Sequence, residues 1–143
     1  MPFKRGSRWV CGAVDAHSGV LELCWAGGPL ALIARAGGGI EKVSGSGTPL
    51  GLMEGLTYKI KSFALKPGDA MLVFTDGVFE IHSAQNTLLE VDGFINILRE
   101  LNYPAISLDF RLLEEKLLEF SNDIRLPDDL TIIEMAYAGG AIR

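Results

Sequence analysis

The sequence predicts an α+β domain, and three observations carry that prediction. Short apolar segments separated by turn residues fill residues 9 to 75; from residue 92 the apolar period becomes helical; and one strand-like segment, Leu130 to Tyr137, follows the helices. Trp9 to Val14 and Val20 to Trp25 flank Asp15-Ala16-His17-Ser18-Gly19, a five-residue loop ending in Gly, which reads as a hairpin. Leu30 to Arg35 and Ile40 to Val43 flank Ala36-Gly37-Gly38-Gly39 and make a second hairpin. A third is expected after the Gly-rich Ser44 to Thr48. There Thr57 to Leu65 alternates, Lys66-Pro67-Gly68-Asp69 turns, and Ala70 to Thr75 runs apolar, as a strand covered on both faces does.

Helical spacing begins with Phe94, Ile97, Leu98 and Leu101 behind Asp92 as N-cap, and Tyr103-Pro104 stops the run. A second helix is expected from about Ser107. Its apolar face is Leu108, Leu112, Leu113, Leu117, Leu118 and Phe120, and its wet face is Glu114, Glu115, Lys116 and Glu119. One layer of helices covers only one face of a sheet, so a second sheet or a partner chain must shield the other.

Composition sets the class. With 143 residues, 48% hydrophobic and 22% charged, the chain suits a single compact domain rather than a disordered or multi-domain one. A net charge of −5 repels phosphate backbones, which argues against a nucleic-acid partner, and suits hard cations. No apolar run reaches the roughly 18 residues of a membrane span, and Met1 to Gly6 lacks a signal-peptide core; a cytoplasmic protein is expected. Cys11 and Cys24, the only cysteines, exclude a disulfide scaffold. A symmetric first loop would place them opposite each other across the hairpin; in a reducing compartment they read as free core thiols, and Trp9 and Trp25 as packing residues.

Two places carry candidate chemistry. Asp76-Gly77 ends an apolar strand, where such a pair is first of all a turn signal; a carboxylate fixed there, with nothing beside it to block a hydrated ion, is also a good ligand for magnesium or manganese. Acidic company comes from Asp128 and Asp129, just before the last strand. Neighbouring side chains of an extended segment point apart, so one of the two can share a site with Asp76. Two carboxylates hold one hydrated ion weakly and are too few for a two-metal clamp. The Gly37 to Gly39 and Ser44 to Gly47 runs lack the Gly-Lys-Ser/Thr and the helix of a phosphate cradle. His17 and His82 have no Cys or His at zinc-ligand spacing, which leaves His82 an outer role at most, and Ser18 and Thr75 have no visible His-Asp partners for nucleophilic catalysis.

In order, Ala26-Gly27-Gly28-Pro29, Pro49-Leu50-Gly51-Leu52, Lys66-Pro67-Gly68-Asp69, Phe74-Thr75-Asp76-Gly77-Val78-Phe79-Glu80 and Asp128-Asp129-Leu130-Thr131-Ile132 resemble the metal-dependent type 2C protein serine/threonine phosphatases, in their bacterial SpoIIE-like branch, from about residue 8 to 137. The resemblance implies part of a four-layer αββα sandwich of antiparallel sheets. It implies that Asp76 and Asp128 are catalytic ligands of a manganese or magnesium centre, with two metals in the complete domain, that activates water toward a phosphoserine or phosphothreonine ester. Gly77, Asp129 and Glu80 are then neighbours that support the site without ligating. The implied partner is a phosphoprotein, such as a phosphoserine regulator of the anti-sigma-factor-antagonist type, and self-association through exposed sheet is a further expectation.

Two departures stand out. The branch usually carries Asn-Ala-Gly-His-Pro where this chain has Trp25-Ala26-Gly27-Gly28-Pro29, and nothing here matches the family's amino-terminal half, with its further aspartate ligands and long helices. Residues 1–143 are therefore expected to form a single partial phosphatase domain, inactive by itself. The alternative is a non-catalytic binding or regulatory domain on a degenerate phosphatase scaffold.

Overall fold

The computed structural model describes residues 6–140 apart from 124 and 128. Seven strands and two helices follow one another as β1 (Trp9–Val14), β2 (Val20–Ala26), β3 (Ala31–Ala34), β4 (Ile40–Val43), β5 (Ile60–Ala64), β6 (Ala70–Phe74), a 3-10 turn (Asp76–Val78), α1 (Glu90–Glu100), α2 (Phe110–Ser121) and β7 (Ile132–Ala136). Both sheets are antiparallel. One has the order β1-β2-β5 and the other β4-β3-β6-β7. The α+β class holds, and the second sheet is the cover that the helices could not supply.

Strand β3 shows how the layers are built. All four of its residues are buried: Leu32 and Ala34 face the helices, and Ala31 and Ile33 face the other sheet. Toward the helices they join Leu72, Phe74, Phe94, Leu98, Leu113 and Leu117, with the Phe74 and Phe94 rings edge to face at 5.1 Å. Toward the first sheet they meet Leu21, Leu23, Trp25, Val43 and Leu65. The outer face of the β1-β2-β5 sheet is left open among the described residues: Trp9 is 56% and Ile60 64% exposed. Trp25 is buried as expected, whereas Trp9 is not a core residue, because it alternates onto this open face of an edge strand.

The third expected hairpin is absent. β5 pairs with β2 in one sheet and β6 lies between β3 and β7 in the other, so Lys66-Pro67-Gly68-Asp69 crosses between the sheets. Burial explains the separation, since β6 is apolar on both faces and needs a central place, whereas β5 is mostly exposed. Asp69, 2% exposed, secures the crossing. Its carboxylate accepts the Lys66 and Ala36 N–H groups at 2.9 and 2.8 Å and the Arg35 guanidinium at 2.9 Å, and Arg35 also donates to the Ala64 carbonyl and pairs with Glu41. Burial by itself pushes the Asp69 carboxyl up, but these hydrogen bonds outweigh it and hold the group below the usual carboxylate range.

Element ends also shift. Strand β5 starts at Ile60 rather than Thr57: its pairing ends at Cys24, and the loop containing Gly45 and Gly47 lies directly on Trp25. α1 starts at Glu90, so Asp92 is no N-cap and instead pairs with Lys42 at 2.5 Å. α2 starts at Phe110 under a true cap, with Asp109 accepting the Arg111 and Leu112 N–H groups, and ends at Asn122 in the left-handed conformation.

Candidate metal centre

The candidate site forms where β6 ends. Thr75 is extended, and the chain then folds into the 3-10 turn, with the Phe79 N–H donating to the Asp76 carbonyl at 2.9 Å. That turn presents the Asp76 carboxylate to solvent while Gly77 and Val78 are buried beneath it. Thr75 joins this turn to the segment entering β7. Its N–H donates to the Thr131 carbonyl at 3.0 Å, its hydroxyl donates to the Asp129 carbonyl at 2.6 Å, and the same oxygen accepts the Thr131 N–H at 2.9 Å. Residues 54 and 56 positions apart in sequence are thereby stapled side by side.

Gly77 allows the close approach. A Cβ there would stand 3.2 Å from both Asp129 Oδ1 and the Leu130 Cα, so any side chain would press the incoming segment away. The opposite wall comes from the other sheet. Arg8, Gly27, Gly28 and Pro29 face Thr75, Asp76 and Asp129 across an open cavity of about 340 Å³. A Cβ on Gly28 would lie 2.3 Å from the Trp9 carbonyl oxygen, so β1 itself keeps this wall bare. Arg8 reaches Asp76, with Nη1 3.6 Å from Oδ2 and both side chains largely exposed. A pair so placed contributes at most about 1 kcal/mol and yields readily to a stronger partner.

Of the residues that the sequence singled out, the cavity gathers Asp76 and Asp129, with Gly77 packed behind them. Asp128 lies outside the described residues. Glu80 is placed elsewhere: it lines a neighbouring cavity of about 430 Å³ with His82, Arg125 and Pro127. Cys11 is exposed and Cys24 half-buried; neither is in the core, because their side chains fall on the open face of their sheet. Among the described residues no three His, Cys, Asp or Glu side chains cluster as a ready metal cage. The donors present, exposed carboxylates with water access and no nitrogen or sulfur ligand, fit a hydrated magnesium or manganese ion that keeps most of its water.

Two residues that line the cavity were not expected there: Arg8 was given no part in the site, and Thr75 was weighed only as a nucleophile. Arg8 was reachable by hairpin arithmetic, since pairing Trp9 with Ala26 sets residue 8 beside Gly27 and Gly28. Thr75 carried only the weak signal of a hydroxyl just before a strand-end Asp-Gly.

The model of the family Stage II sporulation protein E (SpoIIE) matches residues 4–137. The chain belongs to the SpoIIE family. Solved structures agree on the fold. The RsbU and RsbW domains of Rv1364c from Mycobacterium tuberculosis are 26% identical at a TM-score of 0.72, over 97% of this chain and 38% of that one. The PP2C phosphatase domain of SpoIIE from Bacillus subtilis, solved with a fragment of its regulatory domain, is 20% identical at 0.70, over 86% and 35%. RsbX in complex with magnesium is 16% identical at 0.59, over 91% and 55%. The SpoIIE-family chain thus has part of a PP2C-type fold, spanning little more than a third of the first two structures it matches.

Proposed function

We propose that this chain is part of a metal-dependent phosphoprotein phosphatase domain that hydrolyses phosphoserine or phosphothreonine esters. The observation that carries the reading is the Thr75 staple, which brings Asp76 and the Asp129 segment to one open, water-accessible cavity. Asp76 and Asp128 would hold Mn²⁺ or Mg²⁺, with Asp129 at the rim against Gly77 and Glu80 in the neighbouring cavity. When bound, such an ion supplies charge stabilisation on the phosphoryl oxygens and a water acidic enough to act as nucleophile. The chain's own residues do the rest: Asp76 orients toward the cation, the bare Gly27-Gly28 wall admits the ester, and Arg8 offers its fork of donors to the phosphoryl group once Asp76 is engaged elsewhere.

The substrate we favour is a cytoplasmic phosphoserine regulator of the anti-sigma-factor-antagonist type, and the RsbU domain in the mycobacterial structure, joined to an RsbW domain, supports a regulatory setting. A half-built metal site cannot deliver the barrier reduction that phosphate-monoester hydrolysis needs, so residues 1–143 by themselves should turn over little or no substrate. Asp76→Asn, introduced into a parent protein containing the complete domain, should lower metal-dependent phosphatase activity at least about a hundredfold, or roughly 2.7 kcal/mol. Undiminished turnover in that variant would remove Asp76 from the centre.

A second reading has its own observation. Arg8 already stands beside Asp76, and the wall opposite has no side chain at Gly28, as in a scaffold that keeps the fold and binds partners without catalysis. Metal binding separates the two. The open β1-β2-β5 face, with Trp9, Val20 and Ile60 exposed, offers a surface through which two chains can associate.

A further inference from the structure

Cys11 and Cys24 occupy directly opposed positions on β1 and β2 and share the open outer face of their sheet. The Asp15 N–H donates to the Val20 carbonyl at 2.9 Å, which sets residues 15 and 20 at a hydrogen-bonding position of the hairpin, while the Val20 N–H turns to the Ser18 hydroxyl. Antiparallel pairing returns that state every second residue, at 13 with 22 and then at 11 with 24. Such a pair has its Cα atoms about 5.5 Å apart, inside the roughly 4.4–6.8 Å range that a disulfide spans. The chain has no other cysteine, and the two are joined by a short hairpin, so each is the other's nearest thiol.

We propose that Cys11 and Cys24 form a cross-strand dithiol that hydrogen peroxide converts into an intramolecular disulfide. Cys11, the more exposed, reacts first: its sulfur attacks the peroxide, the O–O bond breaks, one water leaves, and a sulfenic acid remains. Cys24 sulfur then attacks the Cys11 sulfur, the S–S bond forms, and the sulfenic oxygen departs with the Cys24 proton as a second water. The two sulfurs lose two electrons between them and one peroxide takes up both.

At a hydrogen-bonded position the Cβ atoms start about 5 Å apart or more, against the roughly 3.5–4.5 Å of a relaxed disulfide. β1 must therefore close toward β2. As an edge strand with a single neighbour among the described residues it is free to do so, and the residual strain makes the bond easy to reduce. The cross-link has a local consequence. Arg8 immediately precedes β1 and Gly27-Gly28 immediately follow β2, so tying the strands together ties together one whole wall of the Asp76 cavity.

The test is peroxide treatment of the reduced 143-residue chain, followed by alkylation and intact-mass measurement. The proposal predicts a monomer that has lost two hydrogens and takes up no alkylating agent, yields a Cys11–Cys24 linked peptide, and regains both thiols in glutathione. In Cys24→Ser the same treatment should add oxygen at Cys11 instead. Sulfinic acid at Cys11 of the unmodified chain with Cys24 still alkylated would overturn the proposal, and so would oxidation that yields only disulfide-linked dimers.

Discussion

Asp69 sets the residue-scale energetics of the fold. A carboxylate this buried is tolerable only with its hydrogen bonds complete, and three donors from two loops complete it. Asp69→Asn keeps the shape but loses the charge that both Arg35 and the backbone donors answer, and should destabilise the chain by about 2–4 kcal/mol in urea unfolding. The pH dependence follows from the direction of the shift. A carboxyl held below its unfolded value contributes stability that is fully present above the ordinary carboxylate range and is lost as pH falls through the folded value. Stability should therefore decline at acid pH in the parent chain, and less steeply in Asp69→Asn.

At the scale of elements, the joint between β6 and β7 decides whether a site exists. Thr75→Val conserves shape while leaving the Thr131 N–H and the Asp129 carbonyl without their side-chain partner, at a cost of about 1–3 kcal/mol. The same change should loosen the Asp129 segment and weaken divalent-ion binding, measured by titration, whereas Thr75→Ser should restore both. Most elements were legible because apolar period and turn residues report on local structure: β1, β4 and the two helices fall where the pattern placed them, within a few residues. What pairs with what was less legible. The β5–β6 turn looks like any hairpin turn, and only the competition for a central, doubly covered place sends β6 into the other sheet. In the same way Asp76 could be singled out as a strand-end carboxylate, but Arg8 and Thr75 join it through pairings between residues far apart in sequence.

On the scale of the whole molecule, the layers are a three-stranded sheet, a four-stranded sheet and a helix pair, with apolar surface left on the outside of the first. Exposed Trp9, Val20 and Ile60 on a sheet whose edge strand β1 is unpaired on one side among the described residues favour association, so sedimentation should show concentration-dependent dimers. A clean monomer across the concentration range would remove self-association from the account. Whether Asp76 belongs to a metal centre is decided by calorimetric titration of Mn²⁺ into the chain beside Asp76→Asn and Arg8→Gln. Weak, saturable binding is expected, lost in Asp76→Asn and tightened about two- to fivefold in Arg8→Gln, where the competing cation is gone. Absence of binding in all three chains, or equal binding in all three, would contradict the assignment of Asp76 to a metal centre.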